Sequence, residues 1–306
     1  MSDGSAKAQR SPAAKEATER LTQLLAPHLN LDACRHGLML YFNTDEYVGG
    51  SLQLCGEWAE IESEVFSRIV TPGMTVVEVG SNVGSHTLCL ARLVSPNGVV
   101  YAFEPQRLLF QQLCANLALN AAENVHAYQI GLGEAPSTMR VPATNYKQRA
   151  NYAGISLHCG EGEAVEIRTL DSFGLARLDF LKIDVESMER QVLLGGATTI
   201  SRCRPIIFAE NDRIEKSSNL IDCLFDLGYR LWWHLSNPFN PKNYFGKAED
   251  IWAGNGTSNN MICIPKEKAD LSWSALVHGL PEALSRDENW QSALGRGKRL
   301  SIGGRS

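Results

Sequence analysis

VVEVGSNVGSHT, residues Val76 to Thr87, decides the fold. Val76, Val77, Glu78 and Val79 predict a strand, because an apolar β-branched run suits a sheet covered on both faces. Gly80 and Gly84 bracket a tight turn. Ser85 to Leu93 predicts a helix, with Leu88, Leu90, Ala91 and Leu93 supplying its apolar contacts. Strand, glycine turn and helix together bring backbone N–H groups and a helix N-terminus against an anionic or polar ligand. The next strand, Val99 to Phe103, ends at Glu104, where an acid can accept hydrogen bonds from a ribose diol. A glycine pair alone would mark only a strand–helix turn. The dinucleotide fingerprint is a poor match, since it needs glycine where Asn82 and Ser85 stand.

Outward from this unit, strands and helices alternate. A helix over Arg107–Asn120 leads to a strand over Val125–Gln129, closed by Gly131 and Gly133. Residues 134–170 interrupt the alternation with short strands at Thr138–Val141 and Val165–Arg168, and read as an insertion at the sheet's rim. LDFLKIDVESMERQVLLGGA, Leu178 to Ala197, then gives a buried strand interrupted by Lys182 and ending at Asp184. Glu186 is predicted to open the helix that follows, with Met188, Val192 and Leu193 on one side. RPIIFAEND, Arg204 to Asp212, is another apolar strand ending in acids and an amide. A helix near Ser218–Leu227, a strand at Tyr229–Trp233, the loop Leu235–Gly246 and a strand near Met261–Ile264 complete the pattern. The expected fold class is α/β, a doubly wound, mostly parallel seven-stranded sheet covered on both faces.

The chain has 306 residues, 44% hydrophobic, enough for a sizeable core. Its net charge of −5 gives no basic field to recruit nucleic acid. No run reaches the length of a membrane span, and MSDGSAKAQRSPAAK has no apolar core for a signal peptide. Eight cysteines without a CxxC read as reduced thiols, which places the protein in the cytoplasm.

VVEVGSNVGSHT, YAFEP, IGLGE, KIDVESMERQVLLGGA and PIIFAEN together resemble the FkbM-type methyltransferase family, over about residues 40–265. The resemblance implies an S-adenosylmethionine-dependent O-methyltransferase with the class I, Rossmann-like methyltransferase sheet. The family's KIDVEG carries Ser187 in place of its glycine, and serine is a good helix starter. On this reading 1–15 form a disordered tail, 16–70 an N-terminal helical cap with a helix over Glu16–Leu25, 71–265 the methyltransferase domain, and 266–306 a peripheral tail. Tyr41–Leu54 is either a loop or short strand over the site or an ordinary extension, and Glu60–Ile69 is a helix.

The candidate cofactor-binding residues are Glu78, Gly80, Asn82, Gly84, Thr87, Glu104, Gly131, Leu132 and Asp184. The turn amides with Asn82 suit the cofactor's amino-acid end, and Glu78 either orients the loop or meets the ammonium. Glu104 suits the ribose, while Gly131 and Leu132 can pack close to the adenine. The partner is a small-molecule or glycan hydroxyl, whose proton must go to a base or be loosened by a metal. Asp184, Glu186 and His234 are the catalytic candidates, although a satisfied core or rim histidine is the preferred reading of His234. Asp184, Glu210 and Asn211 would sit at adjacent strand ends, where oxygen ligands suit Mg²⁺ as in catechol-type methyltransferases. The preferred alternative has Asp184 and Glu186 hydrogen-bonding cofactor and substrate, with Glu210 structural. Trp232 and Trp233 are either a sugar-stacking wall or core. Asn237-Pro238-Phe239 resembles the Asn-Pro-Pro-Tyr motif of amino-group methyltransferases but follows the wrong strand. An amine acceptor and a non-catalytic cofactor-binding module are the alternative functions.

Overall fold

The computed structural model describes residues 12–252, 257–269, 273 and 276–294. Seven strands form one sheet: β3 (Thr75–Val79), β4 (Val99–Phe103), β5 (Val125–Tyr128), β9 (Phe180–Ile183), β10 (Ile206–Glu210), β11 (Tyr229–Ser236) and β12 (Ser258–Pro265). Their order is β11-β12-β10-β9-β3-β4-β5. Five strands run parallel from β5 across to β10, and β12 is inserted antiparallel between β10 and β11. This is the expected doubly wound, mostly parallel sheet. The order reverses between β3 and β9, so a crevice opens at their carboxyl ends.

Each central strand is buried on both faces, and its residues divide by the two-residue period. Val77, Leu181, Ile183, Ile207 and Ala209 join one core cluster with helices α6 (Glu189–Gly195) and α8 (Ile214–Asp226). Val76, Phe180, Ile206 and Phe208 join the opposite cluster, under α3 (Glu60–Ile69) and α4 (Ser85–Val94). The same alternation turns Glu78, Lys182 and Glu210 toward the α3 side. Glu78 lies opposite Lys182 in the register, and Glu210 lies opposite Asn260.

Several boundaries differ from expectation. A hairpin, β1 (Leu29–Cys34) with β2 (Gly37–Phe42), precedes α2 (Val48–Cys55), so the 16–70 segment is not purely helical. The first helix, α1, spans Pro12–Thr22, starting earlier than Glu16 because proline suits a first helical turn. The rest of the expected tail, residues 1–11, lies outside the described residues. The 134–170 segment does form a separate rim sheet, in which β8 (Glu163–Arg168) pairs with β6 (Gly131–Leu132) and β7 (Ser137–Val141).

Of the 266–306 segment, the described part is not peripheral. The Trp233 amide donates to Pro281, the Ala283 amide donates to Leu231, and Trp273, Leu276 and Leu280 pack on the core. The physical reason is that β11 is an edge strand with unpaired backbone groups to cover. Residues 295–306 lie outside the described residues. Among the described residues no helix is long and apolar enough to cross a membrane.

Candidate active site

A cavity of about 310 Å³ opens over the carboxyl ends of β3, β9 and β10. On its glycine-turn side the backbone is held tightly. Gly80 adopts φ +86°, and a Cβ there would lie 1.8 Å from the Asp184 carbonyl oxygen. Asn82, also at positive φ (51°), donates its amide to Glu104 Oε2 at 2.8 Å, and the Gln106 amide donates to Glu104 Oε1 at 2.8 Å. Burial pushes the Glu104 carboxyl up to about 7 against the pull of these two amides. Glu78 is buried, and its Oε2 accepts from Thr87 Oγ1 at 2.5 Å while its Oε1 has no hydrogen-bond partner among the described residues. Thr87 therefore acts behind the wall, by fixing Glu78. Gly84 likewise supports rather than lines the cavity, since a Cβ there would meet Leu113.

An apolar slot adjoins this side, lined by Ile130, Gly131, Leu132, Ile155, Leu157 and Met188, with Glu104 and Asp184 at its edge. At Gly131 a Cβ would come within 2.6 Å of the Ile167 Cδ1 methyl, so the glycine leaves the slot open without moving that side chain. The structure thus brings Glu78, Gly80, Asn82, Glu104, Gly131, Leu132 and Asp184 onto one continuous surface.

The opposite side is a polar floor. Lys182 is 2% exposed and donates from Nζ to Asp184 Oδ2 at 3.0 Å. Burial alone would lower the Lys182 pKa. The surrounding Asp184, Glu78 and Glu62 carboxylates outweigh it and raise the pKa, so the ammonium is charged. Glu62 descends from α3 and accepts from Ser258 Oγ and from Asn260 Nδ2, the latter at 3.0 Å, both on Oε1. Burial, opposed by Lys182, pushes its carboxyl up to about 7. Glu210 has a buried Oε2 without a hydrogen-bond partner among the described residues. Burial first, then the neighbouring Asp184, raises its pKa well above the ordinary carboxylate range. At the rim Arg213 pairs with Glu186 at 2.6 Å, and Tyr47 stacks on Trp252 at 4.9 Å with Trp58 edge-on to it.

Three expectations are corrected. His234 does not reach the cavity: it is fully buried on β11, edge-on to Phe208, and neither ring nitrogen has a hydrogen-bond partner among the described residues. Burial pulls its pKa down to about 4, which suits a core imidazole. Asp184, Glu210 and Asn211 do not form one metal site. Asn211 turns its amide to Met261 Sδ at 3.2 Å, and the Lys182 ammonium already occupies the cation position beside Asp184. Among the described residues no group of three His, Cys, Asp or Glu side chains could hold a metal ion. Glu186 and Ser187 do not start a helix. They sit at φ +50° and +83°, and α6 begins at Glu189, whose carboxylate accepts from the Val185 and Ser187 amides. Ser187 therefore occupies a left-handed position that favours glycine. Trp233 is fully buried and Trp232 nearly so, and both pack in the core.

Glu62, Lys182 and Ser258 were not anticipated as site residues. Lys182 and Glu210 carry a legible signal: with Glu78, each is the polar residue that breaks an apolar strand near its carboxyl end. Glu62 carries none, because its role depends on where α3 docks.

A seven-stranded sheet of this order, with one antiparallel strand and a cavity at its switch point, defines a class I, Rossmann-like methyltransferase fold. The family model for the FkbM methyltransferase domain matches residues 78–231, and the chain belongs to that family. It is 28% identical over 220 residues to the AMB antimetabolite synthetase AmbE of Pseudomonas aeruginosa, covering 56% of this chain and 10% of that protein. It is 27% identical over 143 residues to Methyltransferase 1 of Beauveria bassiana, covering 39% of this chain and 57% of that protein. The chain thus spans well under two thirds of the length of these curated relatives. The crystal structure of an FkbM methyltransferase from Methylobacillus flagellatus is 18% identical, with a TM-score of 0.42, over 81% of this chain and 59% of that one.

Proposed function

We propose that this protein is an S-adenosylmethionine-dependent O-methyltransferase acting on a hydroxyl of a small molecule or glycan. One observation carries the proposal: an acid-rich cavity is continuous with an apolar slot across Gly80, Glu104 and Asp184. The donor set fits the cofactor. Its amino-acid end meets the Gly80–Asn82 turn, where the Glu78 carboxylate lining the cavity suits an ammonium. Glu104, already oriented by two amides, suits the ribose diol, and the Gly131–Leu132 slot suits a planar base. Gly84 and Thr87 hold the turn and Glu78 in place.

When bound, the cofactor supplies a methyl group activated by its sulfonium, so alignment is most of the protein's task. Such alignment is worth roughly 7–11 kcal/mol of barrier. Asp184, fixed by Lys182, and Glu186, fixed by Arg213, would orient the acceptor between the two halves of the cavity. The Tyr47 and Trp58 rings at the mouth suit the face of a ring-bearing acceptor. Mg²⁺ has no part in this reading, and full turnover in EDTA is expected. Its eight unbridged cysteines suit a cytoplasmic location.

A second reading, transfer to an amine, draws on the same excess of carboxylates, which attract an ammonium acceptor. The test is labelled cofactor incubated with ring polyols and ring amines, with the products separated as methyl ethers or methylamines. Methyl ethers are expected. Methylamines alone would replace the hydroxyl with the amine, and cofactor binding without any product would leave a binding module.

A further inference from the structure

We propose that Glu62 is the base that takes the acceptor's hydroxyl proton, with Ser258 and Asn260 as its positioning residues. The inference rests on the O-methyl-transfer reading and names a group for its proton. The other carboxylates of the cavity are held differently, Asp212 lying 3.4 Å from the Arg213 guanidinium. Asp184 accepts from Lys182, Glu186 from Arg213, Glu104 from two backbone amides, and Glu78 from Thr87. Glu210 Oε2 is buried and has no hydrogen-bond partner among the described residues. Glu62 differs in how it is held: two neutral donors on one oxygen, and no cation hydrogen-bonded to it among the described residues. Ser258 and Asn260 converge on its Oε1, and no described residue hydrogen-bonds its Oε2, which is left to the cavity it lines.

The arrangement fixes the carboxylate's orientation while keeping one oxygen free, which is what proton abstraction by a positioned base requires. As the new O–CH₃ bond forms and the S–CH₃ bond breaks, the hydroxyl proton passes to Glu62 Oε2. The sulfonium charge is discharged as a thioether. The proton leaves to water once the product departs.

Glu62's setting supports the role. Facing it are Lys182 from β9, Asp184 just past its end, Glu78 from β3, Glu210 from β10 and His86 from α4, besides the two positioning residues of β12. Burial holds its carboxyl near neutrality, close to the optimum for a base working at physiological pH.

The experiment measures S-adenosylhomocysteine and methyl-ether formation by the full chain with methyl glucosides, myo-inositol and catechol, from pH 5 to 9. The wild type should show an acidic limb with a midpoint near 7. Glu62→Gln should lower kcat/KM by about 10²–10⁴ and remove that limb. Its cofactor affinity by calorimetry should stay within about threefold, and Glu62→Asp should recover part of the rate. Ser258→Ala and Asn260→Ala remove bonds that favour the charged carboxylate, so each should move the midpoint to higher pH. A purely structural role would not move it. If Glu62→Gln fails to fold, these three variants decide. An unchanged limb in all of them, or wild-type turnover by Glu62→Gln, would overturn the proposal. So would a hundredfold loss of cofactor affinity in Glu62→Gln, which would make Glu62 a cofactor ligand. If the wild type binds cofactor but methylates none of the three hydroxyl probes, the O-methyl reading itself fails, and this inference with it.

Discussion

The two halves of the cavity are built in opposite ways. The glycine-turn half comes from one continuous piece of chain, Glu78 to Glu104, and is held by backbone amides meeting a carboxylate. The floor half is assembled from side chains on four elements, and Glu62 and its partner Ser258 are 196 positions apart. The first half is stiff because its geometry is covalently local. The second is a cluster of buried acids around one buried lysine, held only by the sheet's register and the docking of α3. The difference teaches that ligand orientation and proton chemistry have separate structural origins in this protein, and should fail separately.

The largest expected effect strikes the stiff half. Gly80→Ala puts a methyl group against the Asp184 backbone carbonyl at a positive φ. Backbone strain and overpacking together should cost roughly 2–5 kcal/mol and abolish cofactor binding. Thermal unfolding and calorimetry check it. A variant that binds cofactor normally would break the claim that this half is stiff.

Next comes the junction of the halves. Asp184→Asn keeps the shape but weakens the hold of Lys182, so the chain should fold while methyl transfer falls by about tenfold or more. Steady-state kinetics with folding followed by circular dichroism check it. An unchanged rate would remove Asp184 from the site.

The third effect concerns the floor's charge. The raised Glu210 carboxyl binds a proton in the folded chain at pH values where the unfolded chain has released it. Stability from this group is therefore full below its unfolded value near 4.5 and declines as pH rises. Glu210→Gln removes that penalty and should raise stability by about 1 kcal/mol at pH 8 and little at pH 5. Equal effects at both pH values would show that Glu210 is not the titrating group.

The smallest effect lies just outside the floor. His234→Phe replaces a buried imidazole, without a hydrogen-bond partner among the described residues, by a ring of similar shape. Turnover should stay within about twofold, and stability should hold or rise slightly. A large loss of turnover would return His234 to the chemistry.

The same contrast explains what was legible in the sequence. Strand runs such as TVVEV and FLKI are mostly apolar, each broken by one charged residue, so buried parallel strands follow from them directly. The glycine-turn residues are likewise legible, because a turn, a helix start and an acid at fixed spacing are local facts. His234 misled because a histidine after two tryptophans looks exposed to a loop, whereas β11 extends to Ser236 and keeps it inside. Asn211 misled because neighbours in sequence at a strand end point in opposite directions, so Glu210 and Asn211 cannot both face the cavity. Ser187 looked like a helix starter, but the turn there needs left-handed backbone. Glu62 could not be read at all, since nothing local to α3 says which helix face meets Ser258 and Asn260. The hairpin before α2 and the covering of β11 by residues 281–283 are tertiary in the same sense.

The central claim, that the two halves divide cofactor binding from proton chemistry, is tested most directly by one calorimetric comparison. S-adenosylmethionine and NAD are titrated into the wild type, Glu104→Gln and Glu62→Gln. Glu104→Gln presents an amide N–H to a backbone N–H, so cofactor affinity should drop by about tenfold or more, while Glu62→Gln should bind as the wild type does. NAD should bind none of them. Equal losses in the two variants, or NAD binding as tight as S-adenosylmethionine, would contradict the division.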